Sequence, residues 1–255
     1  MKDFLLITYR QLLLVLKQSE YSFYTFEEYC TGKAQGRYII LRHDVDLKPN
    51  HSLSVAKIEA KMGIRATYYF RVVPQSNQPE IIKAIAGLGH EIGYHYEDLS
   101  LYHGNEEQAL EHFKQQLTYF RQFYPVHTIC MHGSPVSKWD NRDLWKTHSY
   151  RDHGIIGEPY FDIDFNKLSY LTDTGRSWNN NKFNIRDKVK SNQNITFKNT
   201  ASIIKAIQTN HFPNQIMITT HPQRWTDKKI EWLSEMIIQF IKNQVKLLMI
   251  LFRKS

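Results

Sequence analysis

Apolar positions along the 255-residue chain follow two alternating periods. Leu5, Tyr9, Leu12, Leu13 and Leu16 recur at helical spacing. The same beat returns over 52–62 (Val55, Ile58, Met62), 79–88, 106–124 (Leu110, Phe113, Leu117, Phe120) and 200–209. It appears last over 227–243, with Ile230, Leu233, Ile237 and Phe240 on one face. Between these helices, β-branched and aromatic runs at 37–42, 64–73, 91–94, 127–131, 154–156, 168–171 and 215–220 predict strands. Strands alternating with helices predict a mostly parallel sheet or barrel whose site lies at the strand C-termini. Gly63 closes the second helix as a C-terminal cap. From 133 to 199 the pattern loosens into turn-rich sequence, with Asn179-Asn180-Asn181 expected as an exposed loop. No internal repeat or linker interrupts the pattern. Residues 1–255 therefore read as one domain, with 1–30 an N-terminal helical extension and 227–255 a C-terminal helix.

Composition narrows the class. Lys and Arg number 33 against 25 Asp and Glu, a formal charge of +8, and 42% of residues are hydrophobic. That basic excess suits an anionic glycan or nucleic acid, but Lys and Arg are scattered without a basic run, an aromatic RNA-binding motif or zinc-finger spacing. No nucleic-acid partner is expected. Cys30 and Cys130 are too few for a disulfide framework, so a reducing, cytoplasmic setting is the expectation. Arg10 interrupts the opening apolar stretch, against a secretion signal. The run 245–252 is short of the ~20 apolar residues of a membrane span and is broken by Lys246.

Polar clusters end four of the strands: His43-Asp44-Val45-Asp46, His95-Tyr96-Glu97-Asp98, His132-Gly133-Ser134-Pro135 and His221-Pro222-Gln223-Arg224. In a parallel barrel those ends meet. Asp44 and Asp46, two apart, point the same way, which is costly for paired carboxylates unless a cation or donors offset the repulsion. Asp and His without thiolates suit zinc or a similar divalent metal, and hydrolysis by activated water is the natural reaction class. Taken singly, His95 reads more readily as a structural histidine than as a ligand, and only its place at a strand end reverses that; His90 reads as a cap or hydrogen-bonding residue. His51, His112, His148, His153 and His211 read as surface or packing residues.

The ordered set Asp44-Val45-Asp46, Gly63-Ile64-Arg65-Ala66-Thr67-Tyr68-Tyr69, Gly89-His90-Glu91-Ile92-Gly93-Tyr94-His95 and Thr219-Thr220-His221 resembles the polysaccharide deacetylase (NodB homology) family over about residues 37 to 225. The resemblance implies a distorted (β/α) barrel of about seven strands and a divalent metal, usually zinc, that serves to remove acyl groups from glycans. Asp44 matches the catalytic base and Asp46 a metal ligand, although Val45 separates residues that are adjacent in the family, so the two roles are exchangeable. His95 matches the first metal histidine. The second is expected four residues on, where this chain has Leu99, which leaves Glu97, Asp98, His103 or His132 to complete the ligand set. His132 stands where the family carries an arginine that positions the base. His221 matches the general acid, and Asp173, Arg176 and Trp178 resemble the motif that tunes it and lines the pocket.

The resulting expectation is a zinc-dependent deacetylase acting on an N-acyl or O-acyl carbohydrate, free or linked to a nucleotide or lipid, in surface polysaccharide assembly. Asp44 and His221 are its catalytic pair, and Asp46, His95 and His132 its metal set. Tyr96, Glu97, Arg176, Trp178 and Arg224 are expected to contact substrate, with Trp139, Trp178 and Trp225 as candidates for stacking on sugar rings. The alternative is a barrel that has lost catalysis and binds glycan or acts as a scaffold, which Leu99 makes credible.

Overall fold

The computed structural model describes residues 2–134, 136–178, 189–192 and 195–252; the Asn179-Asn180-Asn181 run lies outside them. The elements run α1 (Leu6–Gln18), β1 (Ser22–Tyr24), α2 (Phe26–Cys30), β2 (Tyr38–Val45), α3 (Pro49–Lys61), β3 (Thr67–Phe70), α4 (Pro79–Gly87), β4 (Glu91–Tyr96), α5 (Asp98–Leu101), α6 (Glu106–Phe120) and β5 (Ile129–Met131). They continue through α7 (Pro159–Asp162), β6 (Ser169–Thr172), α8 (Thr200–Gln208), β7 (Gln215–Thr220) and α9 (Lys229–Phe252). All strand pairs are parallel, in the order β5-β4-β3-β2-β7-β6, with β1 on the first half of β2 and β3 on the second. This is a seven-stranded parallel half-barrel with helices, as the distorted (β/α) barrel expectation required.

Alternation along the strands sorts side chains into two apolar layers. Ile39, Leu41, Phe70, Ile92, Ile129 and Ile218 face the helices, against Leu12, Val55, Ile82, Phe113 and Ile203. Ile40, Tyr69, Cys130, Tyr170 and Met217 fill the inside of the half-barrel as a dry plug. Gly93 is required there, since a Cβ at that position would stand 2.3 Å from the Tyr69 ring. Gly63 has φ +67 and follows α3, the left-handed turn its position predicts.

Two local readings differ from the structure. Residues 1–30, expected as a helical extension, also contain a strand: the aromatic stretch 21–29 forms β1 and α2, the latter opened by a Thr25/Glu28 capping box that aromatic content does not reveal. Residues 154–156 form no strand; the backbone only touches β5's approach, through a bridge between Thr128 and Gly157, before Pro159 opens α7. α9 runs to Phe252 and takes in the apolar run 245–252, within the C-terminal helix expected over 227–255.

Behind the sheet, Glu59 of α3 accepts hydrogen bonds from His43 Nε2 (2.7 Å), Tyr68 Oη (2.6 Å) and Tyr9 Oη, with all four residues buried. Burial opposes the charge of Glu59, but His43, His90 and Tyr68 outweigh it and hold the carboxyl below its usual range. Because this knot ties α1, α3, β2 and β3 together, Glu59→Ala leaves three buried donors unpaired. A loss of about 3–5 kcal/mol is expected in urea unfolding, with a smaller loss for Glu59→Gln.

Candidate metal and hydrolase site

The C-terminal ends of β2, β4, β5 and β7 open on a cavity of about 400 Å³, walled on its outer side by α9. Asp44, Asp46, His95, His132, His221 and Arg224 all line it. The remaining expected contacts lie elsewhere. Tyr96 projects to the helix side of β4, its ring 5.7 Å from Trp145. Trp178 and Trp225 are fully buried, and Arg176 lies over the rings of Phe4 and Trp232. Trp139 borders a separate depression, beside His103.

Each cavity histidine is fixed from behind. Carbonyl and carboxylate oxygens only accept, so the Nδ1 facing each of them is the donor. His95 Nδ1 meets the Cys130 carbonyl at 2.9 Å, His132 Nδ1 the Glu97 carboxylate at 2.9 Å, and His221 Nδ1 the Asp173 carboxylate at 2.6 Å. Every Nε2 is thereby turned toward Asp46: His95 and His132 both reach 3.7 Å from Oδ1, and His221 3.9 Å from Oδ2. Asp46 Oδ1 is nevertheless buried without a hydrogen-bond partner.

The supporting residues explain the aim. Glu97 sits at the end of β4, held by Arg71 through two 2.8 Å hydrogen bonds, and so acts as the partner of His132. Asp173 follows β6 and also accepts from Arg224 Nη1 (2.6 Å) and Trp225 Nε1 (2.8 Å). Arg42 grips both oxygens of Asp44 at 2.8 and 2.7 Å. Arg42 and Arg71 were not singled out from sequence. Arg42 had a usable signal, because position i−2 on a strand shares the face of Asp44; Arg71 had only its place at the end of β3.

Leu99 packs with Ala109 and Leu144 in a small apolar cluster. Of the four candidates for the open ligand position, His132 faces the cavity. Glu97 is engaged behind it, Asp98 accepts from Tyr94 and His112, and His103 lies in the separate depression.

Different partners hold the two carboxylates ionised. Burial opposes the charge of each. Arg42, with His95 and His221, holds Asp44 below the usual carboxylate range, whereas Asp46 is held low by His221, His132 and His95. Burial pushes His95 down to about 4, so its imidazole is neutral with a free lone pair on Nε2. His132 moves upward despite burial, through Glu97 and Asp46, so a proton and a cation compete for its Nε2.

By donor chemistry Asp46, His95 and His132 suit a divalent cation: an orphaned buried carboxylate oxygen faces two imidazole nitrogens, each 3.7 Å away and each backed by an acceptor. Among the described residues, the group whose donor atoms all lie within 4.8 Å of one another is Asp44, His95 and Cys130. There the guanidinium already neutralises Asp44 and Cys130 is fully buried, which disfavours a cation.

No family model and no curated protein matches the chain. Similar solved structures include a family 4 carbohydrate esterase from Bacillus anthracis (14% identity, 70% of this chain and 79% of that one, TM-score 0.42). Two come from Bacillus subtilis: PdaA, a family 4 carbohydrate esterase (14%, 91% and 83%, 0.43), and the peptidoglycan deacetylase PdaC (12%, 84% and 96%, 0.38). Identities of 12–14% assign no residue role.

Glu158 anchors the approach to His132 by accepting from the Met131 amide at 3.0 Å. Burial raises its pKa to about 7 from an ordinary 4.5, against the opposing pull of two backbone amides, Arg42 and Arg142. The folded state thus binds this proton more tightly than the unfolded chain. The associated stability is complete below pH 4.5 and lost as pH rises through 7; at about 1.4 kcal/mol per pH unit it amounts to about 3 kcal/mol. Chemical denaturation should show that loss flattened in Glu158→Gln across pH 4.5–7.

Proposed function

We propose that the cavity hydrolyses an N-acyl or O-acyl group on a carbohydrate, using a divalent cation, zinc by the chemistry of the donors, held by Asp46, His95 and His132. One observation carries this reading: three imidazoles backed by acceptors converge on Asp46, whose Oδ1 has no hydrogen-bond partner. The ordered motifs that resemble the polysaccharide deacetylase family support the carbohydrate as substrate, and assembly of a surface polysaccharide is the proposed setting.

When bound, the cation supplies Lewis-acid polarisation of the acyl oxygen and a lowered pKa for the attacking water. Asp44, kept ionised by Arg42, accepts the proton of that water as its oxygen attacks the acyl carbon. His221 stands on the other side of Asp46 with Nε2 toward the cavity and its Nδ1 proton on Asp173. The protonated imidazole gives its Nε2 proton to the departing nitrogen as the carbon–nitrogen bond breaks, releasing the amine and the carboxylic acid. Asp173 stabilises that imidazolium and is itself kept anionic, against burial, by Arg224 and His221. Arg224 and Gln223 line the same space, where sugar hydroxyls would lie.

Metal analysis and zinc titration of the purified protein test the ligand set independently of turnover. Asp46→Ala and His132→Ala should each lose bound zinc, while Asp44→Asn should keep it and lower acetate release from N-acetylated oligosaccharides about 10²–10⁴-fold. Retention of zinc by both Asp46→Ala and His132→Ala would refute the site. Zinc binding without acyl release from any N- or O-acylated sugar would leave the glycan-binding alternative instead.

A further inference from the structure

The 24-residue helix α9 is amphipathic in the reverse sense to a surface helix of a soluble protein. Its inward face is polar. Glu235, Gln239 and Asn243 are buried one turn apart; Gln239 Nε2 donates to Asn243 Oδ1 (2.8 Å), and Asn243 Nδ2 donates to the Gly175 carbonyl (2.8 Å). Glu235, Gln239, Lys242 and Lys246, with Ile241 and Val245 beside them, form the outer wall of the cavity, so most of that face is polar. The outward face is apolar: Ile230 is 85% exposed, Phe240 63%, Leu248 54% and Ile237 50%, alongside Leu233. Successive turns make this one continuous stripe, and contiguous exposed apolar surface of that kind marks an interaction face.

Charge selects the occupant. Lys229 is exposed on the first turn of the helix, Lys228 precedes it, and Arg253 and Lys254 follow in the sequence of a chain carrying +8 overall, whereas Lys242 is turned to the cavity. Of the acidic residues of α9, Glu235 is buried and Glu231 is engaged by Lys228 and His51. A second copy would set these lysines against one another, whereas an anionic lipid surface complements them. No helix among the described residues is long and apolar enough to cross a membrane, so the helix would lie in the interface.

We propose that α9 docks on an anionic lipid bilayer, its apolar stripe among the acyl chains at the headgroup boundary and Lys228 and Lys229, at its N-terminal end, on the phosphates. Because the opposite face of the same helix walls the cavity, docking holds the cavity mouth at the bilayer surface. Resting on the deacylase reading, it makes the substrate class an acylated sugar carried on a lipid.

Flotation with phosphatidylcholine vesicles, with and without about a third phosphatidylglycerol, tests the docking directly. Full-length protein should float with the anionic vesicles, release as salt rises, and lose more than tenfold in binding in Ile237→Asp/Phe240→Asp or, independently, Leu233→Asp. Neither variant touches the residues that line the cavity, so zinc content and the melting temperature should not change. Failure of the parent to float, or undiminished flotation of the variants, would overturn the proposal. So would a dimer in sedimentation that Phe240→Asp dissociates, because a second copy would then own the face. For the substrate, an N-acetylated sugar on a polyprenyl phosphate in those vesicles should be hydrolysed faster by the parent than by the docking variants, and the water-soluble sugar equally by both. Equal rates on the lipid-carried sugar would refute that substrate class. Flotation with zinc bound but no hydrolysis of either sugar would defeat the deacylase reading and leave the docking standing.

Discussion

One buried carboxylate oxygen organises the mouth of this half-barrel. Asp46 Oδ1 faces two imidazole nitrogens at 3.7 Å, beyond hydrogen-bonding distance, and has no other donor. Such an arrangement is costly unless a positive charge completes it. The surroundings are built to keep it in place: the backs of His95, His132 and His221 are tied to a carbonyl and two carboxylates, and those carboxylates are in turn held by Arg71 and Arg224. Freedom is removed from the rings before any ligand arrives, and this preorganisation is what a hydrolytic metal site needs.

Two positions where the sequence departs from the motifs it resembles are accounted for by packing. Leu99 belongs to an apolar cluster with Ala109 and Leu144, and His132 faces the cavity from the end of β5. Arg42, two residues before Asp44 on the same strand, grips that carboxylate through both its oxygens. Val45 between the two aspartates has the same logic. A strand alternates its faces, so Arg42, Asp44 and the following Asp46 share one side while His43 and Val45 turn to the helices. Arg42 therefore engages Asp44, while Asp46 is left to the histidines.

The same economy applies to α9. A helix covering a polar cavity must present polar side chains inward, and Glu235, Gln239 and Asn243 do so. Its apolar residues are then left outside. One face of the element encloses the cavity while the other is exposed apolar surface.

Periodicity alone placed the alternating strands and helices, because burial on both sides of a parallel strand and on one stripe of a helix writes itself into the order of apolar residues. It also placed Asp44, Asp46, His95, His132 and His221 at strand ends, where a parallel sheet must gather them. With His95 facing the cavity, the same alternation turns Tyr96 to the helices, but periodicity could not tell that Trp178 is core, since a tryptophan in a turn-rich stretch reads the same buried or exposed. Nor could it assign the outward stripe of Ile230, Ile237 and Phe240: spacing defines a face, but only packing says what that face meets. Arg71, Glu97 and Asp173 belong with their histidines through contacts 26 to 48 residues apart in sequence. Those pairings depend on how the sheet curls and where each loop returns, which only the tertiary structure decides.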